Sequence, residues 1–569
     1  MAYRAHHVCR QVAVLAACCL LAPSAPDTSA ASTPGQLFEL SVVHMNDFHA
    51  RFEETSWSSG SCEAAPCVGG VARLYSAATE LLASRPNAVF LNAGDNYQGT
   101  LWYTLFKWRL TLHFMNRLPH DAMTLGNHDF DDKLDGLVPF LQGFQYPVVV
   151  CNIDDSEEPR IQGLYNKSVV LKRGGRLVGV VGYITTTTKE SSKPEKLRFL
   201  DEVESVRQEA ARLKAAGVDI IIGLSHAGIT KDLEVAARVP DIDLIVGGHS
   251  HTLLYTGTPP GGDVAAGPYP LVVTQASGKR VPVVQAYAFS KYLGNLTVLF
   301  DEQGEPVSWS GAPILMDSSV PQDTGILKEM EPWKAKVAQV GDEQVGRTKV
   351  LLDASDSICA RGECNLGNML AQAMVEEYVD HAEEGTWTYA AIAIMNSGGF
   401  RSSIEETQNG VITMTDLMTC QPFLNTVDTV ELQGRHLLLM LEHSVSRQLN
   451  YTGLPGYTGS GFLQVSGLQV ELDVSRPLGS RVVSVRVLCD ACRVPEYLPL
   501  QMDKWYRLAL SSFLYEGGDG FTMFLQHGRN HSMGRVDIDV YLQYLAKHSP
   551  ITQGVDGRIV LHQENSNSL

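Results

Sequence analysis

The sequence predicts an α/β (α+β) protein built from two domains, and three observations predict it. From about residue 37 to 300, continuously apolar runs such as FELSVVHM, AVFLNAG, PVVVCNI, LVGVVGYI, DIIIGLS and DLIVGG alternate with helical stretches, as strands covered on both faces by helices do. After Phe300 the composition turns to Pro, Gly and Ser through EQGEPVSWSGAPI and MDSSVPQDTG, then to the helical-looking ILKEMEPWKAKVAQV. This reads as a linker followed by a connecting helix, with the boundary near 325–345. A second region of strands and helices follows to about residue 555, and no internal repeat is evident, which excludes a solenoid.

The chain opens with Arg4 and Arg10 ahead of the apolar run VAVLAACCLLA, followed by small residues and prolines. That core is too short to span a bilayer and reads as a secretory signal peptide over residues 1–31. Export agrees with the cysteines. Three of the 11 fall in the leader, and six of the other eight form the close pairs Cys62/Cys67, Cys359/Cys364 and Cys489/Cys492. In an exported chain such pairs predict small-loop disulfides; Cys151 and Cys420 are left over. Sequons at Asn166, Asn295, Asn450 and Asn530 are glycosylation candidates. Roughly 540 residues after the leader exceed one core, and 44% hydrophobic residues make the chain globular. A net charge of −18 argues against nucleic-acid binding. An anionic substrate would need a local feature to overcome that field, and a metal cluster would supply it.

The strand-like runs agree in how they end. The first ends in HMNDFHARF, giving Asp47 and His49, and the second in NAGDNYQG, giving Asp95. The third ends in TLGNHDFDD, giving Asn127, His128 and Asp131, and two later runs end in GLSHAG and GGHSHT, giving His226, His249 and His251. Taken singly, each is an ordinary turn or strand-capping residue. Together, five segments deliver Asp, Asn or His at their C-terminal ends, where ligands bind in such sheets. The donors are oxygen and imidazole only, a set that suits zinc, manganese, iron or calcium and does not choose among them. Seven candidates exceed what one tetrahedral ion needs, so two divalent ions are expected, with Asp95, central in the order, as the bridging carboxylate. Two such ions suit displacement at phosphorus.

DFHARF, GDNYQG, GNHDFDD, SHAG and GGHSHT, in this order, resemble the calcineurin-like metallophosphoesterase domain of the 5'-nucleotidase family, which includes ecto-5'-nucleotidases and secreted apyrases of blood-feeding arthropods. The resemblance runs from about residue 37 to 560. It implies a four-layer α/β/β/α metallophosphoesterase domain over 37–324, a linker helix over 325–345 and a substrate-binding domain over 346–555. It assigns Asp47, His49, Asp95 and His251 to one metal and Asp95, Asn127, His226 and His249 to the other. The ions would be zinc-like, with calcium, magnesium or manganese as alternatives. His128 and Asp131 take the role of a catalytic dyad, the imidazole serving phosphoryl oxygens while the carboxylate orients it. Asp129 and Asp132 are read as turn or surface carboxylates.

In the second domain, IAIMNSGGFRSSI is a strand running into a Gly-Gly turn beside an arginine, a pattern able to cradle phosphate. The resemblance makes Asn396, Gly399 and Arg401 substrate-binding residues, Phe423 and Phe513 the two faces that sandwich a base, and Asp519 the acceptor for ribose hydroxyls. Two departures stand out. Where 5'-nucleotidases have an arginine immediately after the first cysteine of the small loop, this chain has Ala360, with Arg361 one place later as the substitute phosphate contact; and an additional family disulfide falls at Ala371 and Ala393. The C-terminus, GRIVLHQENSNSL, lacks the apolar tail of a GPI signal. The expectation is a secreted, unanchored apyrase-type hydrolase of ATP and ADP, taking a nucleotide and no nucleic acid; a homodimer is among the assemblies the resemblance allows. A soluble 5'-nucleotidase acting on AMP and a nucleotide scavenger without turnover are the competing readings.

Overall fold

The computed structural model describes residues 37–62, 66–446 and 460–562. The leader, the last seven residues and Asn450 lie outside the described residues.

The N-terminal half supplies β1 (Phe38–Met45), α1 (Val71–Ser84), β2 (Val89–Asn92), β3 (Ala122–Met123), β4 (Ser168–Arg173), β5 (Arg176–Ile184), α2 (Glu202–Ala215), β6 (Ile220–His226), β7 (Leu244–Val246), β8 (Leu271–Thr274), β9 (Arg280–Val284), β10 (Tyr292–Phe300), β11 (Pro306–Gly311) and β12 (Ile314–Leu315). They form two six-stranded sheets. One has the order β11-β10-β1-β2-β3 with β12 also on β10, and the other β8-β9-β7-β6-β5-β4. β1, β2 and β3 run parallel, as do β5, β6, β7 and β9. Period-2 alternation decides what each face of β1 meets. Leu40 and Val42 join the core shared with Val180, Ile222 and Val246 of the second sheet, whereas Val43 and Met45 join the core under α1. Each fully buried aliphatic chain there contributes about 1.5–3 kcal/mol. α1 follows Gly69 and Gly70, both at positive φ, and turns Val71, Leu74, Ala78 and Leu81 inward at helical spacing. On the second sheet's outer side, α2 buries Val203, Val206, Ala210 and Leu213.

The stretch after Phe300 is not a linker throughout. Pro306–Gly311 and Ile314–Leu315 pair with β10, and Trp309 packs against the core between the sheets. The Gly, Pro and Ser content masked a short edge strand. α3 (Thr324–Gly341) follows, capped where Ile326 N donates to Asp323 Oδ1, and its Ile326, Met330 and Val337 are buried.

The C-terminal half adds α4 (Asn365–Glu377), β13 (Ile392–Asn396), β14 (Val427–Gln433), β15 (Leu463–Ser466), β16 (Trp505–Ser511), β17 (Arg529–Ser532) and α5 (Asp537–His548). Its five-stranded sheet has the order β15-β13-β16-β14-β17. Leu366, Met369, Met374, Ile538 and Tyr541 belong to the same apolar cluster as Val43, Leu74 and Met330, so one core continues through α3 into both halves. Cys62–Cys67, Cys359–Cys364 and Cys489–Cys492 are bridged; Cys151 and Cys420 are buried free thiols.

Candidate active site and metal centre

The parallel strands of both sheets point their C-terminal ends at one place. Asp47 follows β1, Asp95 follows β2, Asn127 follows β3, His226 ends β6 and His249 follows β7. Their loops are tightly wound. Asp47, His49, Asp95, His249 and His251 all have φ between 47° and 72°, a region that costs a non-glycine residue of order 1–3 kcal/mol and persists only where the surroundings enforce it. Glycines make the crowding possible. A Cβ on Gly126 would lie 2.1 Å from Asp95 Oδ1, and one on Gly94, at φ 86°, would lie 2.6 Å from Gly126 N.

The side chains form two groups, Asp47 with His49 and His251, and Asp95 with His226 and His249, the donor atoms of each lying within 4.8 Å of one another. In the first, the His49 and His251 Nε2 atoms face each other at 3.2 Å, and Asp47 Oδ1 is 3.4 Å from the His251 nitrogen. In the second, His226 Nε2 lies 3.1 Å from Asp95 Oδ2. The same Asp95 oxygen is 3.7 Å from His49 Nε2, so it faces both groups. Neighbouring carbonyls fix the tautomers. His226 Nδ1–H donates to Ala93 O at 2.6 Å, and His49 Nδ1–H lies between Tyr97 O and Gln98 O, which turns both Nε2 atoms inward, where a cation can take their lone pairs in place of a proton. Asp95 Oδ1 accepts from His128 N at 2.8 Å, leaving Oδ2 to the centre.

Electrostatics agree with cation binding. Burial followed by the nearby Arg401 charge holds the His49 ring well below the ordinary imidazole value, and burial followed by His226 pushes His249 down to about 3; both rings stay neutral donors. Burial opposes the charge on Asp47 and Asp95, yet the surrounding histidines keep both carboxylates below their usual value. For His226, burial is outweighed by Asp95 and Asp47, which raise the ring to about 9. That field favours a positive charge at this spot. Asn127 Oδ1 is buried with no hydrogen-bond partner, and His226 Nε2 has only the Asp95 carboxylate beside it; an orphaned buried oxygen costs free energy unless a cation takes its lone pair. The residues therefore fit two divalent cations.

Beside this centre His128 Nδ1–H donates to Asp131 Oδ2 at 2.8 Å. Its Nε2 accepts from Arg401 Nη2 of the C-terminal half at 2.9 Å. Burial lowers the ring's proton affinity, and Asp131 with Asp95 more than restore it; the guanidinium can only donate, so Nε2 is unprotonated in this closed arrangement. Phe423 stacks on His128 at 5.7 Å, with Arg401 above its ring at 5.4 Å. Asn396 Nδ2 and Ser460 Oγ each donate to Asp519 at 2.7 Å. One cavity of about 1000 Å³ is lined by Asp95, His128, Arg401, Phe423, Phe513 and Asp519; Asn396, Gly399 and the exposed Arg361 also line it, as does Ala360.

Three residues of the motifs have more to do than the sequence disclosed. Asp129 is not a surface carboxylate: it is 2% exposed, Oδ1 accepts from Asn96 N and Tyr97 N, and Oδ2 accepts from Gly126 N at 2.9 Å, so it pins the second motif loop to the third. Asp132 is half-buried and accepts from Tyr103 OH and Lys107 Nζ. Arg51, in DFHARF, is 1% exposed; it donates to His49 O and Gly99 O and, through Nη2, to Arg401 O at 3.1 Å. It ties the metal loops to the other half. Its place inside the first motif was the available signal.

Residues 40–253 match the calcineurin-like phosphoesterase family and residues 344–526 the 5'-nucleotidase C-terminal domain. An apyrase of Tabanus yao is 47% identical over 92% of this chain and 94% of its own length. A 5'-nucleotidase of Mus musculus is 44% identical over 95% and 93%. The crystal structure of a 5'-nucleotidase precursor from Thermus thermophilus superposes with a TM-score of 0.85 at 37% identity, covering 93% of this chain and all of that one. With its two-sheet phosphoesterase half and its nucleotidase C-terminal half, the chain belongs to the 5'-nucleotidase family of metal-dependent nucleotide phosphohydrolases.

Proposed function

We propose that this protein is an exported apyrase-type enzyme that hydrolyses ATP and ADP to AMP and phosphate. The observation that carries the nucleotide reading is the continuity of one cavity from the two donor groups, past His128 and Arg401, to Phe423, Phe513 and Asp519. Asp47, His49 and His251 would hold one divalent ion and Asn127, His226 and His249 the other, with Asp95 between them. Two such ions polarise a phosphoryl oxygen and lower the pKa of water. The protein's own groups do the rest. Asp131 holds His128 in the tautomer that turns Nε2 to the cleft. A phosphoryl oxygen placed between His128 and Arg401 would replace their mutual hydrogen bond and accept from the guanidinium and from a His128 protonated at Nε2, whose positive charge Asp131 supports, an arrangement that stabilises developing negative charge. Phe423 and Phe513 offer ring faces to a base, and Asp519, steadied by Asn396 and Ser460, offers its carboxylate to ribose hydroxyls.

The preference for ATP and ADP rests on Ala360. Its small side chain is buried at the cavity wall where family members carry an arginine, while Arg361 stands exposed at the rim, which leaves room for an additional phosphate. The Tabanus relative is named an apyrase. The rival reading, AMP hydrolysis, is favoured by the mouse relative's name. Export rests on Arg4, Arg10 and the apolar run after them, with the three disulfides in agreement. Among the described residues no helix is long and apolar enough to cross a membrane. Phosphate release from ATP, ADP and AMP measured side by side tests the assignment: ATP and ADP turning over well ahead of AMP supports it, and rapid AMP turnover with ADP acting only as an inhibitor overturns it.

A further inference from the structure

Asp131 has two carboxylate oxygens, and the dyad uses one. Oδ2 accepts from His128 Nδ1, while Oδ1 accepts from Ser192 Oγ at 2.6 Å. A carboxylate held at one oxygen turns readily about χ2, a broad torsion; held at both, it presents Oδ2 to the imidazole in one orientation. Ser192 lies on the segment 185–195, which is tied down along its length. Thr185 N donates to His226 O at 2.9 Å, at the end of the strand carrying that candidate ligand. Thr186 N donates to Glu202 Oε1 at 2.8 Å. Glu195 Oε2 accepts from Leu134 N at 3.0 Å, on the helix that follows the dyad motif. Between these anchors, the helical turn Thr188–Ser191 packs against the turn Gly518–Gly520 of the C-terminal half, which bears Asp519. Ser192 is half-buried and lines the shared cavity. The surroundings thus fix the hydroxyl at the point where the phosphoesterase loops meet the candidate nucleoside pocket.

We propose that Ser192 is a positioning residue for the reaction: its hydroxyl locks the Asp131 carboxylate so that His128 keeps its tautomer and aim when the two halves close around substrate. The proposal rests on the reading of His128 and Asp131 as the catalytic dyad. Outer hydrogen-bond partners of a working group are worth about 10–100-fold.

The test compares the parent with Ser192→Ala, Ser192→Thr and His128→Ala, each with metal supplied, by kcat and KM for phosphate release from ADP and from AMP. The expected result is a kcat about 10-fold lower in Ser192→Ala with KM within about 2-fold, most of the loss restored by Ser192→Thr, and a still larger loss in His128→Ala. Unchanged kcat in Ser192→Ala beside an inactive His128→Ala overturns the Ser192 assignment alone. So does a Ser192→Thr variant that is as slow as Ser192→Ala while melting at the parent's temperature. If His128→Ala retains the parent's kcat, the dyad reading falls and the Ser192 inference falls with it.

Discussion

The candidate metal loops and the candidate nucleoside pocket share one cavity and are built on opposite plans. In the loops, potential metal donors crowd one another: Asn127 Oδ1 has no hydrogen-bond partner, His226 Nε2 lies against Asp95 Oδ2, and the His49 and His251 nitrogens face each other. In the pocket, most polar atoms satisfy one another, as Asn396 and Ser460 do for Asp519 and Arg401 Nη2 does for His128, with Arg401 Nε and Ser402 Oγ as exceptions. The loops are buried and wound into left-handed backbone, whereas Phe423 and Phe513 are half-buried and Arg361 is exposed. The difference teaches where the binding energy sits. A centre whose carboxylates and imidazoles converge on one spot gains greatly from a bound cation. A pocket that already satisfies itself gains only the difference between its own hydrogen bonds and those it makes to substrate.

The largest effect expected from this contrast is at Asp95, whose Oδ2 faces both donor groups. Asp95→Ala should lower phosphate release by about 10³-fold or more, beyond the loss usual for one transition-state donor, and should reduce bound metal measured by elemental analysis. Near-parental activity and metal content would erase the contrast. An intermediate effect is expected in the pocket. Phe513→Ala removes one ring face, worth about 1–3 kcal/mol for a stacked base, so KM for ADP should rise by about one to two orders of magnitude with metal content unchanged. A fall in metal content there would show that the two regions are not separable.

The smallest effect lies behind the Phe423 loop. Asp537 is 3% exposed and accepts from Asn425 N at 3.1 Å, two residues after Phe423, and burial pushes its carboxyl up to about 7. The folded state therefore binds this proton more readily than the unfolded chain, where the value is about 3.9. The sign follows: the contribution to stability is fully present below about pH 4 and is lost as pH rises through about 7, with a slope of up to about 1.4 kcal/mol per pH unit. Asp537→Asn should flatten that part of the profile of melting temperature between pH 4 and 7. A variant whose profile parallels the parent's would show that the charge on Asp537 is accommodated without cost.

The metal loops were the more legible region because their residues come in short motifs, each at the end of an apolar run, and the parallel sheets bring those ends together. Six of the seven donors expected there fall into the two groups, and Asn127 lines the same cavity. The pocket was less legible because Asn396, Phe423, Phe513 and Asp519 sit on a strand end, a loop and two short turns far apart in sequence, whose meeting depends on a five-stranded sheet with mixed strand directions. Here the family resemblance, rather than the residues alone, supplied the candidates. Asp129 reads as a surface residue because an aspartate in a Gly-Asn-His-Asp turn has the composition of a solvated loop; its hydrogen bonds from Asn96 N and Tyr97 N exist only once the second motif loop has folded against it. Ser192 and Arg51 gave no periodic or spacing signal, since each matters through a contact made at long range. The edge strand Pro306–Gly311 was hidden by turn-like composition.

The most direct test is a metal titration. Protein stripped with a chelator should release no phosphate from ADP, and activity should return with divalent ion, reaching its plateau at two equivalents bound per chain. Full activity in the stripped protein, or a plateau at one equivalent, would contradict the two-group centre joined by Asp95.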